Sequence, residues 1–282
     1  MSRLESMKKL LRRVLGSILF VILLGIAFGF LFSIFIVPKP MVAIITISGP
    51  FLDQFDADEI MNELQYAREN GRLKAVVLRI DSPGGSASAI EQIYLDILRL
   101  RQEKPVVASI GQIAASGGYH VAIASNFIYS EPTSQVGGIG AFVNLPELEE
   151  LDENVGVTGP YKATGRSRRT AVGHLEIVRQ KFVEAVELHR GDKLKLTEEE
   201  LSRAEIHLGV ESLRYGLIDD IGTRTAAIEK AANLAGLRNY EVTEFEAGIK
   251  RLSWNLRISD LEAMKSKTGL IPQYYYLYFG PR

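Results

Sequence analysis

The chain has 282 residues, 46% hydrophobic and 24% charged, a globular composition that excludes a wholly disordered or fibrous protein. Its 33 basic and 34 acidic residues nearly cancel, which removes any broad electrostatic case for nucleic acid as the partner. With no cysteine, disulfides, thiolate nucleophiles and cysteine-ligated metal sites are excluded.

Five cations, Arg3, Lys8, Lys9, Arg12 and Arg13, precede the uncharged run Val14 to Val37. At about 1.5 Å per residue, a helix of that length exceeds the roughly 30 Å hydrocarbon core of a bilayer. A cleaved signal peptide is the alternative, but the run is longer than a usual h-region, and Pro38-Lys39-Pro40 offers no small-x-small cleavage pattern. Residues 1–40 are therefore expected to form a basic segment and a single membrane anchor, with residues 14–37 in lipid. By the positive-inside rule the N-terminus is expected in the cytoplasm and everything after Pro40 outside the cytoplasmic membrane.

The next elements alternate. Val42 to Ser48, Ala75 to Ile80 and Val106 to Ile110 are short β-branched runs, and helical periodicity fills Asp58 to Glu69 and Ala89 to Arg101. The order β, α, β, α, β predicts an α/β domain with parallel strands over residues 41–245. Further helices are predicted near Leu145 to Glu153, Val172 to Arg190, Glu198 to Ala204 and Thr225 to Ala235. Residues 246–282 form an aromatic C-terminal tail around Tyr274-Tyr275-Tyr276, expected to pack on the domain or to contact a membrane surface or another subunit.

Two glycine-containing turns follow predicted strands, where sites form in open α/β sheets. In Asp81-Ser82-Pro83-Gly84-Gly85-Ser86, proline fixes one angle and the glycines let backbone N–H groups face a bound oxygen. The same residues also make an ordinary strand-to-helix turn. In Ala114-Ala115-Ser116-Gly117-Gly118-Tyr119, small neighbours would let a substrate reach the Ser116 hydroxyl, although serine is equally a common helix cap.

A serine nucleophile needs a base. His120 lies four residues beyond Ser116 without an obvious carboxylate, and His174, His189 and His207 read as surface or boundary residues, so a histidine triad is disfavoured. The absence of H-E-x-x-H disfavours zinc hydrolysis, and no metal or other cofactor is expected. Lys162, in Gly159-Pro160-Tyr161-Lys162-Ala163-Thr164-Gly165, is the alternative base or else a surface cation. An ordinary lysine is neutral in only roughly one molecule in 2,500 at pH 7, so catalysis would require burial to lower its pKa.

The ordered segments LRIDSPGGSASA, ASIGQIAASGGYHVAIAS, GPYKATG and LGVESLRYGLIDDIG, behind an N-terminal anchor, resemble the signal peptide peptidase A (SppA) family, membrane-anchored serine proteases of the ClpP/crotonase superfamily. The resemblance implies a ClpP/crotonase-like fold of repeated β-β-α units. It implies a Ser-Lys dyad of Ser116 and Lys162, an oxyanion hole from Gly84 and Gly117, and a homo-oligomer in which neighbouring subunits share active sites. Cleaved signal peptides are the implied substrates. Where the family commonly has a serine that supports the lysine, this chain has Gly138, leaving Ser134 or water for that role. Two alternatives keep the fold: a crotonase-like acyl-thioester enzyme, and a catalytically inactive membrane scaffold.

Overall fold

In a computed structural model the chain divides into two units, Met1–Lys39 and Pro40–Arg282. The structure describes residues 3–36, 38–145, 158–159, 161–162, 165–245 and 274–277. The first unit is one helix, α1 (Arg3–Ile36), whose stretch Leu11–Gly29 is long and apolar enough to cross a membrane.

The second unit begins β1 (Met41–Ser48), α2 (Gln54–Glu69), β2 (Leu73–Ser82), β3 (Gly84–Ser86), α3 (Ala87–Glu103), β4 (Val106–Ala115) and α4 (Gly117–Ile123). It continues β5 (Phe127–Ser130), β6 (Gln135–Gly137), β7 (Phe142–Val143), α5 (Arg168–Arg190), α6 (Glu198–Leu201), β8 (Ile206–Leu208) and α7 (Gly209–Arg214). It ends with β9 (Asp220–Ile221), α8 (Arg224–Leu234), β10 (Glu241–Phe245) and β11 (Tyr274–Leu277). The main sheet runs β10-β1-β2-β4-β5-β9 with every neighbouring pair parallel. Strand β6 continues beside the end of β4 and carries β8 on its other edge. This is the α/β fold with parallel strands that the strand and helix order predicts.

Parallel strands require crossovers, and α2 and α3 supply the first two. Asp53 caps α2 by accepting from the N–H groups of Phe55 and Asp56, and Asp56 answers from its own carboxylate. Ala57, Ile60, Leu64 and Ala67 on α2 and Ile90, Ile93, Ile97 and Leu100 on α3 make buried stripes at helical spacing. They belong to the core that contains Ala43, Ile45 and Ile47 of β1, whereas Val42 and Ile44 pack with Ala227, Ala231 and Ala232 of α8. Alternate residues of one strand thus enter opposite layers, and burial on both faces accounts for its unbroken apolar run.

Two elements depart from the sequence reading. Strand β4 extends beyond Ile110 to Ala115, so Ser116 leaves the strand directly. The helix predicted near Glu198 is a single turn, stopped where Ala204 takes a φ of +55°. The segment predicted to be helical near Leu145 to Glu153 lies, apart from its first residue, outside the described residues. Finally, β11 from the aromatic tail sits between β3 and β7 in a second, antiparallel sheet, paired Tyr275 to Ser86, Tyr276 to Gly85 and Leu277 to Gly84.

The far end of α5 is held by a buried ion pair. Arg190 donates to both oxygens of Asp219 at 3.0 and 3.1 Å and to the Gly216 carbonyl at 2.7 Å. Burial raises the Asp219 pKa, but hydrogen bonds from Arg190 and Lys193 outweigh it and leave the carboxyl below its ordinary value.

Candidate active site

Ser116 occupies the junction of β4 and α4, 3% exposed, with a φ of +51° and a ψ of −118°. A non-glycine residue in that region costs about 1–3 kcal/mol and is retained only where its surroundings impose it. Here its N–H donates to the Gly137 carbonyl at 2.8 Å and its carbonyl accepts from His120 N–H at 2.9 Å. Its hydroxyl does not cap α4, and its hydrogen bond to the Gly140 carbonyl is stretched to 3.5 Å. The backbone is therefore held firmly while Oγ has only a weak partner. Of the two roles open to this serine in sequence, the helix cap is the one its geometry does not adopt.

The two glycine turns meet. A Cβ built on Gly84, whose φ is +114°, would lie 2.8 Å from the Gly117 nitrogen and 1.8 Å from the carbonyl oxygen of Tyr276. A Cβ on Gly117 would lie 3.0 Å from the same oxygen. Only residues without a Cβ let a peptide carbonyl settle there. Gly117 opens α4, so its N–H has no partner within the helix.

The peptide N–H of Gly84 is directed elsewhere, to Ser82 Oγ at 3.2 Å. The Gly84 carbonyl and Ser86 N–H both bond Leu52, on one side of β3. Because strand N–H and C=O groups alternate sides, the N–H and carbonyl of Gly85 face the other side, toward its register partner Tyr276. Gly84 thus provides the room beside Gly117, while Gly85 faces Tyr276.

Lys162 lies apart from this buried cluster. It is exposed in a turn closed by its own N–H to the Gly159 carbonyl at 3.1 Å, and no hydrogen bond or ion pair joins it to Ser116 among the described residues. The residues Ala163 and Thr164 of its segment lie outside the described residues. Ser134, the expected support for the lysine, is occupied: its hydroxyl donates to the Gly111 carbonyl at 2.5 Å and accepts from Glu131 N–H at 3.0 Å. Gly138 has a backbone reason of its own, with φ +65° and a virtual Cβ 2.9 Å from Ile206 and 3.2 Å from Ser116 N.

His120 is 3% exposed and serves as a wall of the site. Its ring stacks on Phe182 at 4.6 Å and tilts against Tyr94 at 4.7 Å. Burial, followed by the nearby His189, drives its pKa down to about 3, so it is uncharged at neutral pH. His189, read from sequence as a surface or boundary residue, is half-buried and shares a 2.7 Å hydrogen bond with the Tyr94 hydroxyl. Sequence reasoning missed Phe182 and the strand pairing of the tail, for which the signal was aromatic composition.

The fold has known counterparts. It aligns with two variants of the 1510-N membrane-bound stomatin-specific protease, one of them in complex with a substrate peptide, each at a TM-score of 0.50 and 20% identity. These alignments cover 74% of this chain and 99% and 93% of those chains. In sequence the chain is 29% identical to Protease 4 of Haemophilus influenzae over 218 residues, 70% of this chain and 35% of that protein. It is 31% identical to the chloroplastic serine protease SPPA of Arabidopsis thaliana over 206 residues, 67% of this chain and 30% of that one. The chain thus spans about a third of the length of these two relatives. The Clp protease profile matches residues 41–136, and that of Peptidase family S49 matches residues 99–238, through Ser116 and the lysine loop. The chain belongs to peptidase family S49.

Proposed function

We propose that this protein is a membrane-anchored serine endopeptidase with Ser116 as nucleophile and Lys162 as general base. The observation that carries the reading is the conformation of Ser116: a strained, buried residue whose hydroxyl is weakly held, beside two glycine turns that receive a peptide carbonyl. In the proposed reaction Ser116 Oγ attacks the substrate carbonyl while neutral Lys162 takes its proton. The N–H groups of Gly117 and Gly85 then hold the oxyanion. The lysine returns the proton to the leaving amine, and water releases the acyl group by the reverse sequence.

Lys162 is exposed and shares no hydrogen bond with Ser116 among the described residues of the single chain. The reading therefore includes a homo-oligomer in which the Lys162 loop of one subunit is covered against Ser116 of the next. The substrates are hydrophobic peptides such as cleaved signal peptides, and the anchor keeps the catalytic unit beside the membrane, on the side opposite the basic N-terminus. Domain limits of 41–245 for the catalytic part and 246–282 for the tail belong to this proposal.

Fluorophosphonate treatment of the assembled protein, followed by mapping of the modified residue, tests the reading. Labelling at Ser116 that disappears in Ser116→Ala is expected. Turnover of an acyl-CoA without labelling would favour the crotonase-like alternative, and an oligomer that neither labels nor cleaves would favour the scaffold.

A further inference from the structure

The parallel strands of the main sheet begin at one end of the second unit. Met41 N–H donates to the Arg72 carbonyl at 2.8 Å, Glu241 N–H to the Pro40 carbonyl at 3.0 Å and Val76 N–H to the Pro105 carbonyl at 2.9 Å, so the starts of β1, β2, β4 and β10 lie side by side. Beyond residue 13 the chain has five more acidic than basic residues, yet this end gathers cations. Arg72, Lys74 and Arg238 are exposed, and none of them has an ion pair among the described residues. Further along the sheet the cations are paired instead: Arg79 and Arg224 both meet Glu244 of β10, at 3.8 and 3.5 Å. Lys104 joins the unpaired group and donates to the Ala67 and Asn70 carbonyls at 2.6 and 2.9 Å, which leaves one of its three N–H groups over. Burial, and then the charge of Lys74, lowers its pKa, so the two ammonium groups stand close enough to repel. The acidic neighbours are Glu69, Glu103 and Glu241, of which Glu69 already accepts from Gln65 at 2.8 Å.

We infer that the end of the second unit bearing Arg72, Lys74, Lys104 and Arg238 docks on the anionic phospholipid headgroups of the membrane that holds the anchor. The inference rests on the anchor reading and adds the surface with which this unit meets the lipid. Pro38, Lys39 and Pro40 are all that separates the uncharged run from β1, a reach of about 14 Å, so an anchor in lipid keeps the strand starts near the headgroups. Each cation near an anionic leaflet contributes roughly fivefold, too little for a few of them to hold a free protein. The tether makes docking intramolecular, and the three exposed cations then shift the docked-to-undocked ratio by on the order of a hundredfold. A two-fold contact with a second copy would instead set these cations against themselves. Docked in this way, the unit carries Ser116 away from the lipid, because β4 rises about 30 Å from Val106 to Ala115. A peptide whose helix remains in the bilayer would need about nine extended residues to reach that serine.

The chain has no cysteine, so a single dye can be placed at either end of the sheet. Full-length protein labelled at Asn239→Cys, beside Arg238, or at Gln112→Cys, toward the far end of β4, is reconstituted into vesicles of phosphatidylcholine alone or with phosphatidylglycerol added. Contact quenching by nitroxide-bearing lipid headgroups is then measured. Expected is quenching at Asn239→Cys that requires phosphatidylglycerol and disappears in high salt, with none at Gln112→Cys in either vesicle. Adding Arg72→Gln, Lys74→Gln and Arg238→Gln should lower the docked-to-undocked ratio by about a hundredfold. The unfolding temperature should stay the same, because these side chains are exposed and unpaired, and this separates lost docking from lost fold. Quenching at Asn239→Cys that is equal in the two vesicles, or that survives the triple replacement, would overturn the inference, as would stronger quenching at Gln112→Cys. Protein that an alkaline carbonate wash strips from the vesicles would refute the anchor and the docking together. Protein that stays in the vesicles while its quenching ignores phosphatidylglycerol would refute the docking alone.

Discussion

Ser116 and Lys162 come from the same chain and are treated very differently by it. Ser116 is buried and strained, and every atom of its backbone is accounted for: its N–H on Gly137, its carbonyl on His120, its neighbours glycines that fit against β3. Lys162 is an exposed residue in a turn with one local hydrogen bond. The contrast separates two ways of building a site. A nucleophile can be completed by one chain, because its geometry follows from a strand end and a helix start. A lysine base must also be dried, and nothing among the described residues does that here.

The widest separation should appear in activity. Ser116→Ala and Lys162→Ala are each expected to lower kcat/KM by about 10⁴-fold or more. Only the serine replacement removes a residue from the interior, so Lys162→Ala should leave stability within about 0.5 kcal/mol of the native value. Mixing the two inactive proteins under conditions of subunit exchange should restore part of the activity, because some sites would then pair an intact serine with a neighbour's intact lysine. A mixture that stays inactive would mean that the loop serves its own chain, and the contrast would have to be explained by movement within a subunit.

The next effect concerns α5, which leaves the lysine loop at its Ser167 cap and is fixed at its other end by Arg190 and Asp219. Arg190→Ala is expected to destabilise the second unit by about 3–5 kcal/mol in denaturant unfolding, since it leaves a carboxylate buried without its main partner. A loss below about 1 kcal/mol would mean that water reaches Asp219.

A smaller effect tests Gly138. Gly138→Ser should cost about 1–2 kcal/mol of stability from its positive φ and its contact with Ile206, without raising activity. A gain in kcat would show that the lysine lacks support in the native protein.

The smallest effect lies in the pH dependence of stability. His120 folds with a pKa near 3 against roughly 6.5 in an unfolded chain, so the unfolded chain holds more protons between those values. Its contribution is complete above about pH 6.5 and falls by about 1.4 kcal/mol per unit as the pH drops toward 3. Glu63 acts in the opposite sense: burial, with a smaller contribution from Glu59, raises its pKa to about 7, and its contribution is lost as the pH rises from about 4.5 to 7. In unfolding curves between pH 4.5 and 6.5, His120→Phe should make the slope of stability against pH more negative, and Glu63→Gln should make it more positive. Identical slopes in both variants would contradict the buried, neutral state of His120.

Much of this protein is legible in its sequence because the responsible forces are local or periodic. The uncharged run before Pro38 is visible as length alone, and the strands β1, β2 and β4 are visible as β-branched runs since both faces of the sheet are covered. The turns at Gly84 and Ser116 stand out because glycine, proline and small residues are needed wherever backbone must come close to backbone. Tertiary structure decided what no local rule encodes. It directed the Gly84 N–H to Ser82 and turned Gly85 toward Tyr276, through which side of β3 Leu52 occupies. It also brought Tyr276 beside Gly85 and His120, 191 and 156 positions earlier, since strand pairing and side-chain packing join segments that chain distance keeps apart.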